Sequence, residues 1–104
     1  MSADAFKEFV MDQLHGLNEL ECRRMFGGFG IYSGTTFFGI IHEGRLYFKT
    51  DARTRHDYER LGMTAFRPST EQTLVNYYEV PAEVLENAFE LSEWARSSVH
   101  VARQ

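Results

Sequence analysis

Apolar side chains near the N-terminus follow the spacing of an amphipathic helix. They recur every three or four residues and so line one side of that helix: Phe6, Phe9, Val10, Leu14 and Leu17. Ser2 is the expected N-cap, and Gly16 is the expected end of the helix.

From Cys22 onward the pattern changes to runs of β-branched and aromatic residues, which are typical of strands. Four strands are predicted, at Cys22–Phe26, Phe29–Ser33, Thr36–His42 and Arg45–Thr50. Glu43 and Gly44 form a two-residue hairpin turn in which Gly44 adopts a positive φ. In the fourth strand Leu46 and Phe48 alternate with polar positions that include Tyr47, which predicts one buried and one polar face.

The second half of the chain contains two more helices and two more strands. A short helix is capped by Thr50 or Asp51, turns Tyr58 and Leu61 inward and stops at Gly62. A strand at Thr64–Arg67 meets Pro68, which favours a sheet edge, and a polar loop over residues 69–73 leads to a strand at Leu74–Val80. Pro81 fits the first turn of a final helix with an apolar stripe, formed by Val84, Leu85, Ala88, Leu91, Ala95 and Val99.

These elements predict an α+β fold. The order is α-β-β-β-β-α-β-β-α, and short hairpin connections favour a two-layer arrangement in which helices flank an antiparallel sheet of five to six strands. The length of 104 residues predicts a single domain over residues 1–104, with an aromatic-rich core. No apolar run is long enough to span a bilayer and the N-terminus has acids where a signal peptide has basic residues, so we expect a cytoplasmic protein without membrane contact.

The titratable residues do not form a catalytic or metal-binding pattern. Cys22 is the only cysteine, and the four histidines show no His-x-x-x-His pair, so no metal, cofactor or disulfide is expected. Cys22 is better explained as a small buried residue than as a nucleophile. The chain is therefore expected not to be an enzyme.

Charge is distributed unevenly along the chain. The net charge is −4, yet residues 45–67 hold six basic residues against three acids, and residues 71–93 hold six glutamates and no Lys or Arg. A bipolar surface suits recognition of a protein or self-association better than recognition of DNA. Direct nucleic-acid binding through residues 45–67, with Arg53 and Arg55 as contacts, remains the alternative.

Residues 23–30 combine two arginines with a Gly-Gly-Phe-Gly segment. Backbone amides that glycine leaves exposed can bind a phosphate. This segment, however, leads into a strand and lacks the Lys-Ser/Thr of a P-loop. A turn or bulge between packed strands explains the glycines better. A small-ligand site there is a further alternative. Arg23 and Arg24 are adjacent and must point to opposite faces of a strand, where one pairs with a glutamate or contacts a phosphate or a partner.

Phe89 and Trp94 lie on the two flanks of the final apolar stripe. Large apolar side chains at the edge of a buried face can extend into an interface, although covering the sheet is the simpler role. Phe89 and Trp94 are therefore candidate partner contacts together with Arg23, Arg24, Arg53 and Arg55.

Several ordered motifs resemble the N-terminal domain of the TfoX/Sxy family of bacterial competence regulators. They are RRMFGGFGIY at 23–32, FFGIIHEGRLYFKTD at 37–51, the spacing of Arg55, Tyr58 and Gly62, YYEVP at 77–81 and LSEWAR at 91–96. The resemblance covers nearly the whole chain and implies an α+β domain without established catalytic residues. Longer family members carry a second, helical C-terminal domain, which is expected to be missing here because the chain stops at Gln104.

The resemblance also implies a role. Fuller family members promote transcription of competence genes, in concert with the cyclic-AMP receptor protein. We therefore expect a non-enzymatic protein-interaction domain in transcriptional regulation, with the transcription machinery or the cyclic-AMP receptor protein as partner, and with a homodimer as a further expectation.

Overall fold

A six-stranded antiparallel sheet forms the framework of the protein. The computed structural model describes residues 3–25 and 27–104, so the expected N-cap Ser2 and Phe26 lie outside the described residues. The strands are β1 (Leu20–Met25), β2 (Gly28–Ser33), β3 (Thr36–His42), β4 (Arg45–Lys49), β5 (Ala65–Ser69) and β6 (Gln72–Glu79). They are arranged in the order β1-β2-β3-β4-β6-β5, and every neighbouring pair is antiparallel. The predicted α+β class and the predicted order of helices and strands along the chain are confirmed.

Four helices accompany the sheet within the described ranges: α1 (Ala3–Gln13), α2 (Arg55–Arg60), α3 (Ala82–Leu85) and α4 (Ala88–Ala102). The main core lies between one face of the sheet and these helices. Its fully buried members include Val10 of α1, Leu14 directly after α1, Phe38 and Phe48 of the sheet, and Leu91 of α4. None of the helices in the described part of the chain is long and apolar enough to cross a membrane.

The predicted final helix is divided into α3 and α4. Asn87 has an extended backbone, with φ −111° and ψ 102°, and its side-chain oxygen accepts a hydrogen bond from the Glu90 amide at 3.0 Å. Asn87 is therefore the N-cap of a new helix. The stripe itself is confirmed, because Val84, Leu91, Ala95 and Val99 are all buried.

The opposite face of the sheet carries a second, smaller cluster, which corrects the predicted polar face of β4. Tyr47 is only 8% exposed and belongs to a cluster with Ile40, Phe66 and Tyr77. The Tyr47 and Phe66 ring centroids are 4.5 Å apart. Tyr47 is buried because Phe66 of the edge strand β5 packs over it, a long-range contact that alternation along β4 does not reveal.

Helix α2 is shorter than predicted, and this changes the position of Leu61. The Asp51 carboxylate accepts hydrogen bonds from the amides of Arg53 and Thr54 in the turn before the helix. Leu61 is the C-cap residue and is 45% exposed, contrary to the inward orientation predicted for it. Tyr58, in contrast, is buried as expected.

The glycine segment is part of the sheet framework. Gly27 has φ +75° in the turn between β1 and β2. A Cβ atom on Gly28 would overlap the carbonyl oxygen of Ile41 on β3, and one on Gly30 would overlap the Met25 sulfur. These glycines allow a turn and two close approaches, as the turn-or-bulge interpretation requires.

Candidate functional site

Arg23 and Arg24 lie on β1, at one edge of the sheet, and contact aromatic rings on opposite faces. The Arg23 guanidinium lies 4.6 Å from the centroid of Tyr32, and the Arg24 guanidinium lies 5.2 Å from that of Phe29 in the main core. Arg23 also approaches Glu21 at 3.5 Å, with both side chains well exposed. The predicted opposite orientation is confirmed, and the charge of Arg23 is partly balanced by its own strand.

Arg53 precedes α2 and Arg55 is the first residue of α2, towards the other end of the sheet. Arg55 donates a hydrogen bond to Asn76 Oδ1 at 3.2 Å, and its guanidinium is 5.8 Å from the centroid of the Tyr78 ring. Arg53 is exposed in the turn before α2. Since β1 and β6 are four strand positions apart, roughly 19 Å of sheet lies between the strand of Arg23 and Arg24 and the strand that Arg55 contacts. The structure therefore does not combine these four arginines into one site.

Two of the remaining basic residues of the 45–67 segment form ion pairs that reduce their availability to a polyanion. Arg45 forms an ion pair with Glu79 at 2.9 Å, and Arg60 forms one with Asp57 at 3.1 Å. The hydrogen bond and charge of Glu79 raise the pKa of Arg45, so the pair holds its charge. Two of the six positive charges on which nucleic-acid binding would depend are thus balanced locally.

Trp94 and Phe89 occupy different environments on α4. The Trp94 ring packs edge-to-face on Tyr58 of α2, with centroids 4.7 Å apart, and Trp94 borders the main core. Phe89, in the first turn of α4, is 75% exposed. The structure therefore places Trp94 between α2 and α4, and leaves Phe89 available to a partner.

Two glutamates lie next to the exposed Phe89 on α4. Glu90 follows Phe89 directly and Glu93 lies one helical turn beyond, so the three side chains share about a quarter of the helix circumference. We call Phe89, Glu90 and Glu93 the acidic-aromatic patch. Among the residues that the structure describes, neither glutamate forms an ion pair within 4.0 Å. The i, i+4 spacing of Phe89 and Glu93 is visible in the sequence, but their exposure is not.

Burial shifts the pKa values of titratable groups on both β1 and β6. Burial raises the pKa of the Cys22 thiol, and Lys7 opposes this shift only partly. The Tyr78 hydroxyl donates to Glu59 Oε2 at 3.0 Å, and desolvation and that bond raise its pKa. Within residues 3–25 and 27–104, no group of three or more His, Cys, Asp and Glu side chains could hold a metal ion.

Two comparisons with known proteins agree with this architecture. The sequence pattern of the TfoX N-terminal domain matches residues 12–102. The DNA transformation protein TfoX1 of Aliivibrio fischeri (strain ATCC 700601 / ES114) is 32% identical over 66 residues. That alignment covers 62% of this chain but only 32% of TfoX1, so the chain spans about a third of its relative's length. Because this sequence pattern matches nearly all of the chain, the chain belongs to the TfoX N-terminal domain family.

Proposed function

We propose that this chain is a regulatory protein-interaction domain that acts in DNA-uptake competence. Membership of the TfoX N-terminal domain family and the likeness to a DNA transformation protein support the competence role. The observation that carries the interaction role is the 75% exposure of Phe89 next to Glu90 and Glu93, which have no ion-pair partner among the described residues.

The acidic-aromatic patch has the chemistry of a protein contact. A phenylalanine exposed to this degree is an anchor that gains free energy when a partner's pocket removes it from water. The glutamates around it repel phosphate backbones and attract lysine and arginine. Glu83 and Glu86 are both exposed and add negative charge in the segment just before α4. The partner is therefore a protein with an apolar pocket bordered by basic residues.

The transcription machinery supplies the first partners to test. Family resemblance favours the cyclic-AMP receptor protein, and RNA polymerase is the second partner to measure. Burial of the Phe89 side chain contributes about 2 kcal/mol or more to such a complex, so Phe89→Ser weakens binding about thirtyfold. Glu90→Lys combined with Glu93→Lys slows association most strongly at low salt, because it reverses the electrostatic attraction.

Biolayer interferometry with each purified partner measures both effects. Val75→Ser is the matched control, since Val75 is another exposed apolar residue, at 58%, but lies on β6. The same preparations are examined by size-exclusion chromatography with light scattering, which reports a homodimer. A strict monomer that binds neither partner, or equal losses for Phe89→Ser and Val75→Ser, would count against the proposal.

A further inference from the structure

A cavity of about 250 Å³ lies on the same helix as the acidic-aromatic patch, towards the C-terminal end of α4. It is bounded by the connection between α1 and β1, by Ser33 at the end of β2, and by the C-terminal half of α4. Its charged or titratable lining residues are Arg96, His100 and Arg103, and its described lining contains no acid. We propose that this cavity binds a small polyanion of the diphosphate class.

The two arginines retain their positive charge for a ligand. Neither forms an ion pair within 4.0 Å with any carboxylate in the described part of the chain. The Arg103 Nε donates to Thr36 Oγ1 at 3.1 Å, which fixes the base of this guanidinium and leaves its terminal nitrogens to an anion. Arg96 extends towards Gly16, where an added Cβ would lie 3.6 Å from its guanidinium nitrogen. The Arg96 guanidinium therefore lies beside the connection between α1 and β1, at the wall of the cavity.

The walls of the cavity are joined by hydrogen bonds. The Ser33 hydroxyl donates to the Asn18 carbonyl at 2.9 Å, and the Gly34 amide donates to the Glu19 carbonyl at 2.9 Å. These bonds tie the α1–β1 connection to the end of β2, while the Arg103–Thr36 bond ties α4 to β3. A ligand therefore meets a site that is formed before binding, which lowers the entropic cost of binding.

Size and spacing favour a diphosphate. Sites for drug-sized ligands are about 300–1,000 Å³, so this smaller cavity suits a compact anion. Arg96 and Arg103 are seven residues apart, or about 10.5 Å along the helix axis, with His100 between them. Two linked phosphate groups can contact more of these side chains at once than a single phosphate can.

Compensation of the helix dipole does not account for this row of basic residues. Basic side chains are favoured in the last helical turn, where the dipole effect is confined. His100 lies in that turn and Arg103 is the C-cap residue, but Arg96 is nearly two turns from the end of α4. Arg96 therefore adds a positive charge to the cavity that the dipole of α4 does not require.

Isothermal titration calorimetry with pyrophosphate tests the proposal on the full chain. We expect saturable binding that is tighter than that of inorganic phosphate, and at least about tenfold weaker binding in Arg96→Gln and in Arg103→Gln. Arg67→Gln is the control, because it removes the same charge from β5, where Arg67 donates only to the Thr70 carbonyl. Circular dichroism checks that each variant is folded.

An ADP titration distinguishes two sources of the ligand. Equal affinity for ADP and pyrophosphate assigns the site to the diphosphate end of a nucleotide, and weaker binding of ADP assigns it to free diphosphate. Absence of saturable pyrophosphate binding at millimolar concentrations would overturn the proposal. So would a loss in folded Arg67→Gln equal to that in Arg96→Gln, since the attraction would then be nonspecific.

Discussion

Replacing Gly28 with alanine tests whether the glycine segment is a structural part of the sheet. The added Cβ would overlap the Ile41 carbonyl oxygen and lie 3.2 Å from its carbonyl carbon and 3.3 Å from His42 Cα. All three atoms belong to the backbone of β3, so no side-chain rotation relieves the clash. Strands β2 and β3 must separate locally, next to the pair Phe29 and Ile41.

The loss of stability follows from the overpacking and from the backbone hydrogen bonds that this separation breaks. Overpacking of a tight site costs about 1–3 kcal/mol, and each buried backbone group that loses its hydrogen bond adds about 1–3 kcal/mol. We therefore expect Gly28→Ala to lower the free energy of unfolding by about 3 kcal/mol or more. For a domain of this size, that corresponds to a decrease in Tm of about 12–24 °C.

Thermal and urea denaturation followed by circular dichroism measure this loss. Gly16→Ala is the matched control, because its Cβ would make only an ordinary contact at 3.6 Å with the flexible end of Arg96 and its φ is not positive. We expect Gly16→Ala to change stability by less than about 0.5 kcal/mol or to increase it slightly. A Gly28→Ala protein within about 1 kcal/mol of Gly16→Ala would refute the close approach of β2 to β3.

Three further predictions concern stability. Trp94→Ala lowers the free energy of unfolding by about 3 kcal/mol because Trp94 packs on Tyr58. Phe89→Ala changes it by less than about 0.5 kcal/mol because Phe89 is exposed, and urea denaturation measures both values. Asn87→Ala removes the α4 cap and costs about 1 kcal/mol, seen as a fall in Tm of about 4–8 °C. Burial raises the pKa of Tyr77 from 10.0 to about 12, so its stabilising contribution is complete below pH 10 and is lost as pH rises through 12. Tyr77→Phe should then show a weaker loss of stability in that alkaline range, monitored by circular dichroism.

A specific outcome would contradict each of these three predictions. Equal losses for Trp94→Ala and Phe89→Ala would contradict the different environments of the two aromatic residues. An Asn87→Ala protein as stable as the parent would mean that the cap contributes nothing. A Tyr77→Phe protein with the parent's alkaline profile would show that the Tyr77 phenol is not desolvated in the folded state.

The first four strands were predictable because local signals agree there. Alternation along β4 and the Glu43–Gly44 turn determine the β3–β4 hairpin, and both residues have positive φ, at 50° and 74°. The break at Asn87 was missed because the apolar stripe continues in register across it. Asn87 followed by Glu90 is a capping-box pattern, which would have revealed the break.

Other features depend on contacts between residues distant in sequence. Burial of Tyr47 requires Phe66 to pack over it, and no pattern within β4 encodes that contact. The opposite faces of Arg23 and Arg24 followed from the strand period alone, because adjacent residues always alternate. The difference in burial between Phe89 and Trp94 could not be predicted in this way. It depends on which side of α4 packs against α2.

Site-specific photo-crosslinking tests the central claim, that Phe89 lies in a contact with the transcription machinery, most directly. A photoreactive phenylalanine analogue replaces Phe89, or Val75 as the exposed control, in cells under conditions that induce DNA uptake. We predict a covalent adduct with the cyclic-AMP receptor protein or RNA polymerase from position 89, identified by mass spectrometry, and none from position 75. Absence of such an adduct at position 89, or equal yields at both positions, would contradict the proposed interaction surface.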